Sequence, residues 1–251
     1  FFKAFAALKN RKYGNLFFDF GKPIDLNEFF FNKLDKFQHA SEPAHVQKLS
    51  ENELHLTQEL ANHVVREQQR RIVIFVFNLM ALIYSEHIFT SSTSALSMNE
   101  MKARVLALAE LFEALGAIVH ITRENLTQDI LSTIAVHDNI LEVKGKNSIF
   151  KLKKTKPEMP PRALKENVKV KGHYLCEQVM NIAVPVFSLQ LYCNPTLFWL
   201  AEPAFFVLCT KTAGELSIKD LRNQVKELRE MFIYELVMYP GSEEEDFENT
   251  L

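Results

Sequence analysis

The stretch Ser97–Gly116, SMNEMKARVLALAELFEALG, decides the fold class. Ser97 followed three residues later by Glu100 is a capping box, in which side chain and backbone satisfy each other's orphan donors at a helix start. Met101, Val105, Leu108, Phe112 and Leu115 then recur at i, i+4, i+7, i+11 and i+14, one apolar stripe of an α-helix. Gly116 closes the stripe where a left-handed residue is wanted. The pattern predicts a capped, amphipathic helix with one face in a core.

The same grammar recurs outward. Ser50 with Glu53 opens a helix whose apolar face is Leu54, Ala61, Val64 and Val65. Ser217 with Asp220 opens what reads as the last helix, with a stripe of Ile218, Leu221, Val225, Leu228 and Phe232. Ile72–Tyr84 is apolar except for Asn78, but falls short of the roughly 20 residues a membrane span needs, so it reads as a buried helix. Ala117–Thr122 reads as a short strand, Asn125–Ala135 as a helix, and Leu141–Leu152 as a hairpin turning near Gly145–Asn147. Pro157, Pro160 and Pro161 mark Lys153–Asn167 as an exposed loop. Tyr174–Cys209 is rich in apolar residues but carries Pro185, Pro195 and Pro203, which argues for several short, kinked, buried helices.

Near the start the period changes. Leu16, Phe18 and Phe20 alternate with Phe17 and Asp19, a strand stopped by Gly21 and Pro23. A lone strand leaves its edges unsatisfied, so its sheet partners are expected in polypeptide outside this sequence. Phe29, Phe30, Phe31 and Phe37 lie on an irregular connector, and Glu243–Asp246 with Glu248 reads as a solvated, mobile acidic tail. The fold class expected is therefore mainly α: a helical domain with a few short strands, plus one N-terminal strand that completes a sheet elsewhere. The boundaries expected are residues 1–31 for the last helix and strand of an upstream domain and 32–49 for a connector. Residues 50–239 form the helical domain, with its loop near 153–167, and 240–251 the tail.

Composition narrows the function classes. Among 251 residues, 29 basic and 31 acidic side chains leave a formal charge of −2, and 47% of residues are hydrophobic. Disorder and charge-driven nucleic-acid coating are both disfavoured on these grounds. Only 7 glycines leave little material for phosphate-cradling loops. Cys176, Cys193 and Cys209 form no CxxC pair, so neither a zinc knuckle nor a disulfide framework is indicated, and a reducing compartment is expected. The chain begins Phe1–Phe2 with no targeting pattern and reads as a piece of a longer protein.

The titratable residues give little chemistry. His63 has Glu59 and Glu67 at i−4 and i+4, the arrangement of an ion pair on a helical face. His137 adjoins Asp138, but sequence neighbours on a helix do not face one site. His39 and His45 have no third ligand nearby, and Cys176 beside Glu177 is disfavoured as a thiolate. GxSxG, GxxxxGK[ST] and HExxH motifs are all missing. Two basic clusters remain: Arg66, Arg70 and Arg71 before the apolar run, and eight Lys or Arg against two Glu between Lys151 and Lys171. Such clusters hold anionic lipid or phosphate, or simply form solvated faces.

Four strings carry a family resemblance. YGNLFFDFGKPI (Tyr13–Ile24) resembles the strand that follows the catalytic blocks of the glycerol-3-phosphate and dihydroxyacetone phosphate acyltransferases. ANHVVREQQRRIVIFVFNLMALIY (Ala61–Tyr84), SLQLYCNPTLFWLAEPAFFVLC (Ser188–Cys209) and FIYELVMYPG (Phe232–Gly241) are similar to later segments of the same family, in matching order. The final YPG with EEEDFE resembles the dihydroxyacetone phosphate branch more closely.

The resemblance implies the C-terminal part of an acyl-CoA-dependent O-acyltransferase of ether-lipid or glycerophospholipid synthesis. The N-terminal strand would complete the upstream α/β acyltransferase sheet, and acyl-CoA and a phosphorylated triose or glycerol would be substrates of the parent. No cofactor and no nucleic-acid partner is implied. The location implied is intracellular and peripheral to a membrane, peroxisomal by branch, with mitochondria or endoplasmic reticulum as alternatives; Asn249–Leu251 is not an SKL-type signal. The family's catalytic H-x4-D pair needs Asp five residues after His. The eight histidines here are followed at that position by Ala44, Ser50, Leu60, Gln68, Ser92, Asn125, Glu142 and Gln178. No catalytic, cofactor-binding or metal-binding residue is therefore assigned, and the chain alone is expected to be inactive. The rival reading is a stand-alone helical interaction or lipid-surface module.

Overall fold

A computed structural model describes residues 17–31, 33, 43, 45–90, 96–138, 140–144, 149–152, 177–213, 215–233, 235–236, 238–239 and 241–251. It is mainly α. In chain order the elements are α1 (Leu26–Phe29), α2 (Glu51–Arg70), β1 (Val73–Phe75), α3 (Val76–Thr90), α4 (Met98–Ala114), β2 (Ile118–His120) and α5 (Leu126–Val136). They continue as β3 (Leu141–Lys144), β4 (Ile149–Leu152), α6 (Glu177–Ala213), α7 (Ile218–Met231) and α8 (Glu243–Thr250). Contacts divide the described chain into two compact units. One draws on Phe17 and Val73–Leu200, the other on Phe18–Ile72 and Ala201–Leu251.

In the first unit the core forms around α3, α4 and α5. Ile74, Leu79, Met80, Ile83 and Tyr84 bury against Met101, Val105, Ala109 and Phe112 of α4 and Ile130 of α5. The capping box at Ser97 is made: Glu100 N–H donates to Ser97 Oγ at 3.3 Å, and Ser97 N–H donates to Glu100 Oε2 at 3.0 Å. Gly116 adopts φ 89°, and the N–H groups of Gly116 and Ala117 donate to the carbonyls of Glu113 and Phe112. Both bonds define a Schellman ending.

The run Ile72–Tyr84 differs from the single helix expected. Val73–Phe75 is a strand, paired in parallel with Ile118–His120 in the register Val73↔Ile118, Ile74↔Val119, Phe75↔His120. Two β-branched residues favour extension, and the strand expected at 117–122 supplies the partner. Asn78 makes the switch to helix: its Oδ1 accepts the Phe75 N–H at 2.8 Å while its Nδ2 donates to the Tyr192 carbonyl at 2.8 Å.

The hairpin forms as read, β3 antiparallel to β4, though its turn and the loop at 153–167 lie outside the described residues. Tyr174–Cys209 corrects the expectation of several short helices: α6 is one element of 37 residues containing all three prolines. Proline removes one N–H and crowds one carbonyl per site, and local bonds offset part of that. Thr196 Oγ1 donates to the Cys193 carbonyl at 2.6 Å, and buried Leu189, Cys193 and Thr196 anchor the same face.

In the second unit Phe205, Cys209, Leu221, Val225 and Phe247 form a smaller core. The acidic tail is a further correction. Glu243–Thr250 is a helix, and its Phe247 is only 2% exposed, against Phe206 at 4.8 Å. An aromatic residue in the middle of the acidic run supplies burial worth about 1.5–3 kcal/mol, which a purely charged tail lacks. Residues 17–25 belong to no helix or ladder among the described residues, and Phe18 and Phe20 are 73% and 87% exposed.

Candidate functional site

Where α2 and α7 approach α8, arginines meet carboxylates. Arg66 Nη2 lies 2.5 Å from Asp246 Oδ1 and 3.2 Å from Glu245 Oε2. Arg70, one turn on, holds Glu245 Oε1 at 2.7 Å and Glu67 at 3.1 Å. Glu245 is thus clamped by two guanidinium groups, and the Arg70 bond leads the effects that hold its carboxyl below the usual glutamate range. From α7, Arg222 pairs with Glu244 and, at 2.6 Å, with Glu248, and its guanidinium lies over the Phe247 ring.

Deeper in the unit, Arg229 Nη1 bonds Glu202 Oε2 at 2.6 Å and Asp246 Oδ2 at 3.1 Å, while Nη2 donates to Ser242 Oγ at 3.2 Å. Burial pushes the Glu202 carboxyl up, and outweighs the opposing pull of Arg229. Glu202 Oε1 is buried without a hydrogen bond among the described residues. Tyr239 donates its hydroxyl to Gln69 Oε1 at 2.5 Å, linking the segment before α8 to α2.

Beside Arg229 lies a pocket of about 70 Å³, lined by residues including Lys226, Ile233, Met238 and Tyr239. Ligand pockets usually span about 300–1,000 Å³, so this one is too small for an acyl chain or a coenzyme.

Among the described residues, His63, His137 and His120 pack against aromatic rings and His55 lies beside Glu59. His63 sits 5.7 Å from the Phe29 ring, whereas Glu59 turns to Lys33 at 3.4 Å and His55 at 3.5 Å, and Glu67 to Arg70. His137 stacks on Phe77 at 3.8 Å and meets Tyr192 edge-on at 4.8 Å. Burial lowers its pKa, which favours a neutral ring. His120 packs on Phe17 at 4.2 Å. His45 lies in a turn, while His39, Cys176 and most of the Lys151–Lys171 cluster are outside the described residues.

Of the arginine cluster read from sequence, Arg66 and Arg70 face α8, but Arg71 turns to Asp19 at 3.2 Å. Arg222 and Arg229 lie outside both basic clusters read from the sequence. A signal existed for Arg229: Leu221, Val225 and Arg229 fall at i, i+4 and i+8, so an arginine continues the core face and requires a buried anion. Among the described residues no group of three or more His, Cys, Asp or Glu is placed to hold a metal, and no helix is long and apolar enough to cross a membrane.

Among the described residues the fold is mainly helical with a few short strands, and the arginines of α2 and α7 pair with carboxylates of the same unit. The chain belongs to the family described as the glycerol-3-phosphate acyltransferase C-terminal region, which matches residues 1–251. Comparisons with curated proteins and with solved structures gave no match.

Proposed function

We propose that this chain supports, without itself catalysing, acyl transfer from acyl-CoA to the hydroxyl of dihydroxyacetone phosphate, with glycerol-3-phosphate as the alternative acceptor. Membership of the acyltransferase family supports the parent reaction, and the likeness of YPG with EEEDFE supports the triose acceptor. The observation that carries the supporting role is the exposed pair Phe18 and Phe20 at period two. Large aromatic residues on one side of a strand pattern are costly to leave in water, and an upstream sheet edge would cover them. Residues 1–31 would then close that domain, and the helical remainder would stand beside it, peripheral to a membrane in the peroxisome.

The test uses the full-length parent. Phe18→Asp with Phe20→Asp should lower acyl transfer at least tenfold and lower the thermal midpoint, because one substituted face destroys the packing of the whole strand. Unchanged turnover and stability would reject the supporting role. Parallel assays with the two phosphorylated acceptors decide acceptor preference.

A further inference from the structure

We propose that Arg66 and Arg70 form a binding site for a phosphate-bearing anion, and that Glu245 of α8 occupies it as an internal stand-in. The two guanidinium groups lie one turn apart on α2 and grip one carboxylate from both sides, at 3.2 and 2.7 Å. Convergent guanidinium groups of this kind favour phosphate, which offers more oxygens than a carboxylate and spreads them over a tetrahedron. The occupant does not use all the donors. Arg66 has only 10% of its side chain exposed, yet its Nε–H, which shares an edge with Nη2, makes no hydrogen bond among the described residues. Asp246 Oδ1 also holds Nη2, at 2.5 Å, so a phosphate oxygen pair takes Nε–H together with the Nη2–H that Glu245 vacates, while Asp246 keeps the other.

The stand-in is held loosely where it matters. Asp246 and Phe247 anchor α8 through Arg66, Arg229 and the apolar cluster, whereas Glu245 has 55% of its side chain exposed. Surface pairs of this kind contribute little and weaken with salt, so a dianion can displace the Glu245 side chain while the helix stays docked. The ligand chemistry is a phosphate monoester, whether free in solution or at a lipid headgroup. This inference does not depend on the acceptor assigned above.

Glu245→Gln in the full chain tests it, because the substitution keeps Asp246, Phe247 and the helix. Binding is measured to inorganic phosphate by calorimetry, and to phosphatidylcholine vesicles containing phosphatidic acid by sedimentation, with the thermal midpoint checking the fold. Affinity should rise roughly three- to fivefold for at least one probe, the size expected from losing one surface competitor. Adding Arg70→Gln should remove the gain. Gain with the vesicles alone assigns the site to a headgroup, and gain with phosphate assigns it to a soluble ester. Glu244→Gln with Glu248→Gln, which relieves Arg222 instead, should give no gain. No rise in a folded Glu245→Gln protein, or a rise that survives Arg70→Gln, overturns the proposal.

Discussion

Arg229 and Glu202 show how a buried charge pair is tied to one protein's pH response. Each is nearly excluded from solvent, and removing one leaves the other buried without its principal counter-charge. Arg229→Ala should destabilise the fold by about 3–5 kcal/mol at neutral pH. The sign of its pH dependence follows from Glu202, whose carboxyl is already pushed up by burial and loses its main opposing influence in the variant. A carboxyl with a raised folded pKa penalises the fold above that pKa and is relieved as protonation proceeds. The deficit relative to the parent should therefore shrink as pH falls through the Glu202 titration toward the ordinary glutamate range. Urea unfolding of both proteins across that range checks it; a deficit that grows on acidification contradicts the assignment.

At the scale of elements, helix ends were more legible than helix interiors. The capping boxes at Ser50 and Ser97 formed as read, because a cap is a local reaction between side chain and adjacent backbone. Gly116 is the matching local signal at a helix end. With φ at 89°, an alanine there suffers backbone strain, since its Cβ would meet only Trp199 at an ordinary 3.8 Å. Gly116→Ala should cost about 1–2 kcal/mol, and Gly116→Asn less, by thermal unfolding. Helix interiors are decided otherwise. The prolines of α6 argued for breaks, yet buried Leu189, Cys193 and Thr196 at helical spacing hold one continuous element. Val73–Phe75 became a strand because a distant segment, Ile118–His120, supplied its ladder.

For the molecule as a whole, the acidic segment after Ser242 does work that its charge conceals. It returns Phe247 to the core of one unit and neutralises arginines from α2 and α7. Ending the chain at Ser242 should therefore destabilise that unit by at least about 3 kcal/mol, the scale of deleting a buried aromatic. Hydrogen exchange should show lost amide protection in α7 and the C-terminal half of α2. Protection in α4, whose buried residues belong to the other core cluster, should persist. Uniform loss across both units, or none, would refute this division of labour.

By itself the sequence determines the fold class, the Ser97–Gly116 helix with both ends, and the absence of an H-x4-D pair within these residues, because periodicity, capping and motif spacing are local properties. Which charges meet is a different matter. Arg66 and Asp246 are 180 residues apart, and Arg229 reaches back 27 residues to Glu202. Tertiary structure alone turned an acidic tail into a docked helix and brought Arg66 and Arg70 of the basic cluster onto its carboxylates, since Coulomb attraction depends on distance in space and on burial.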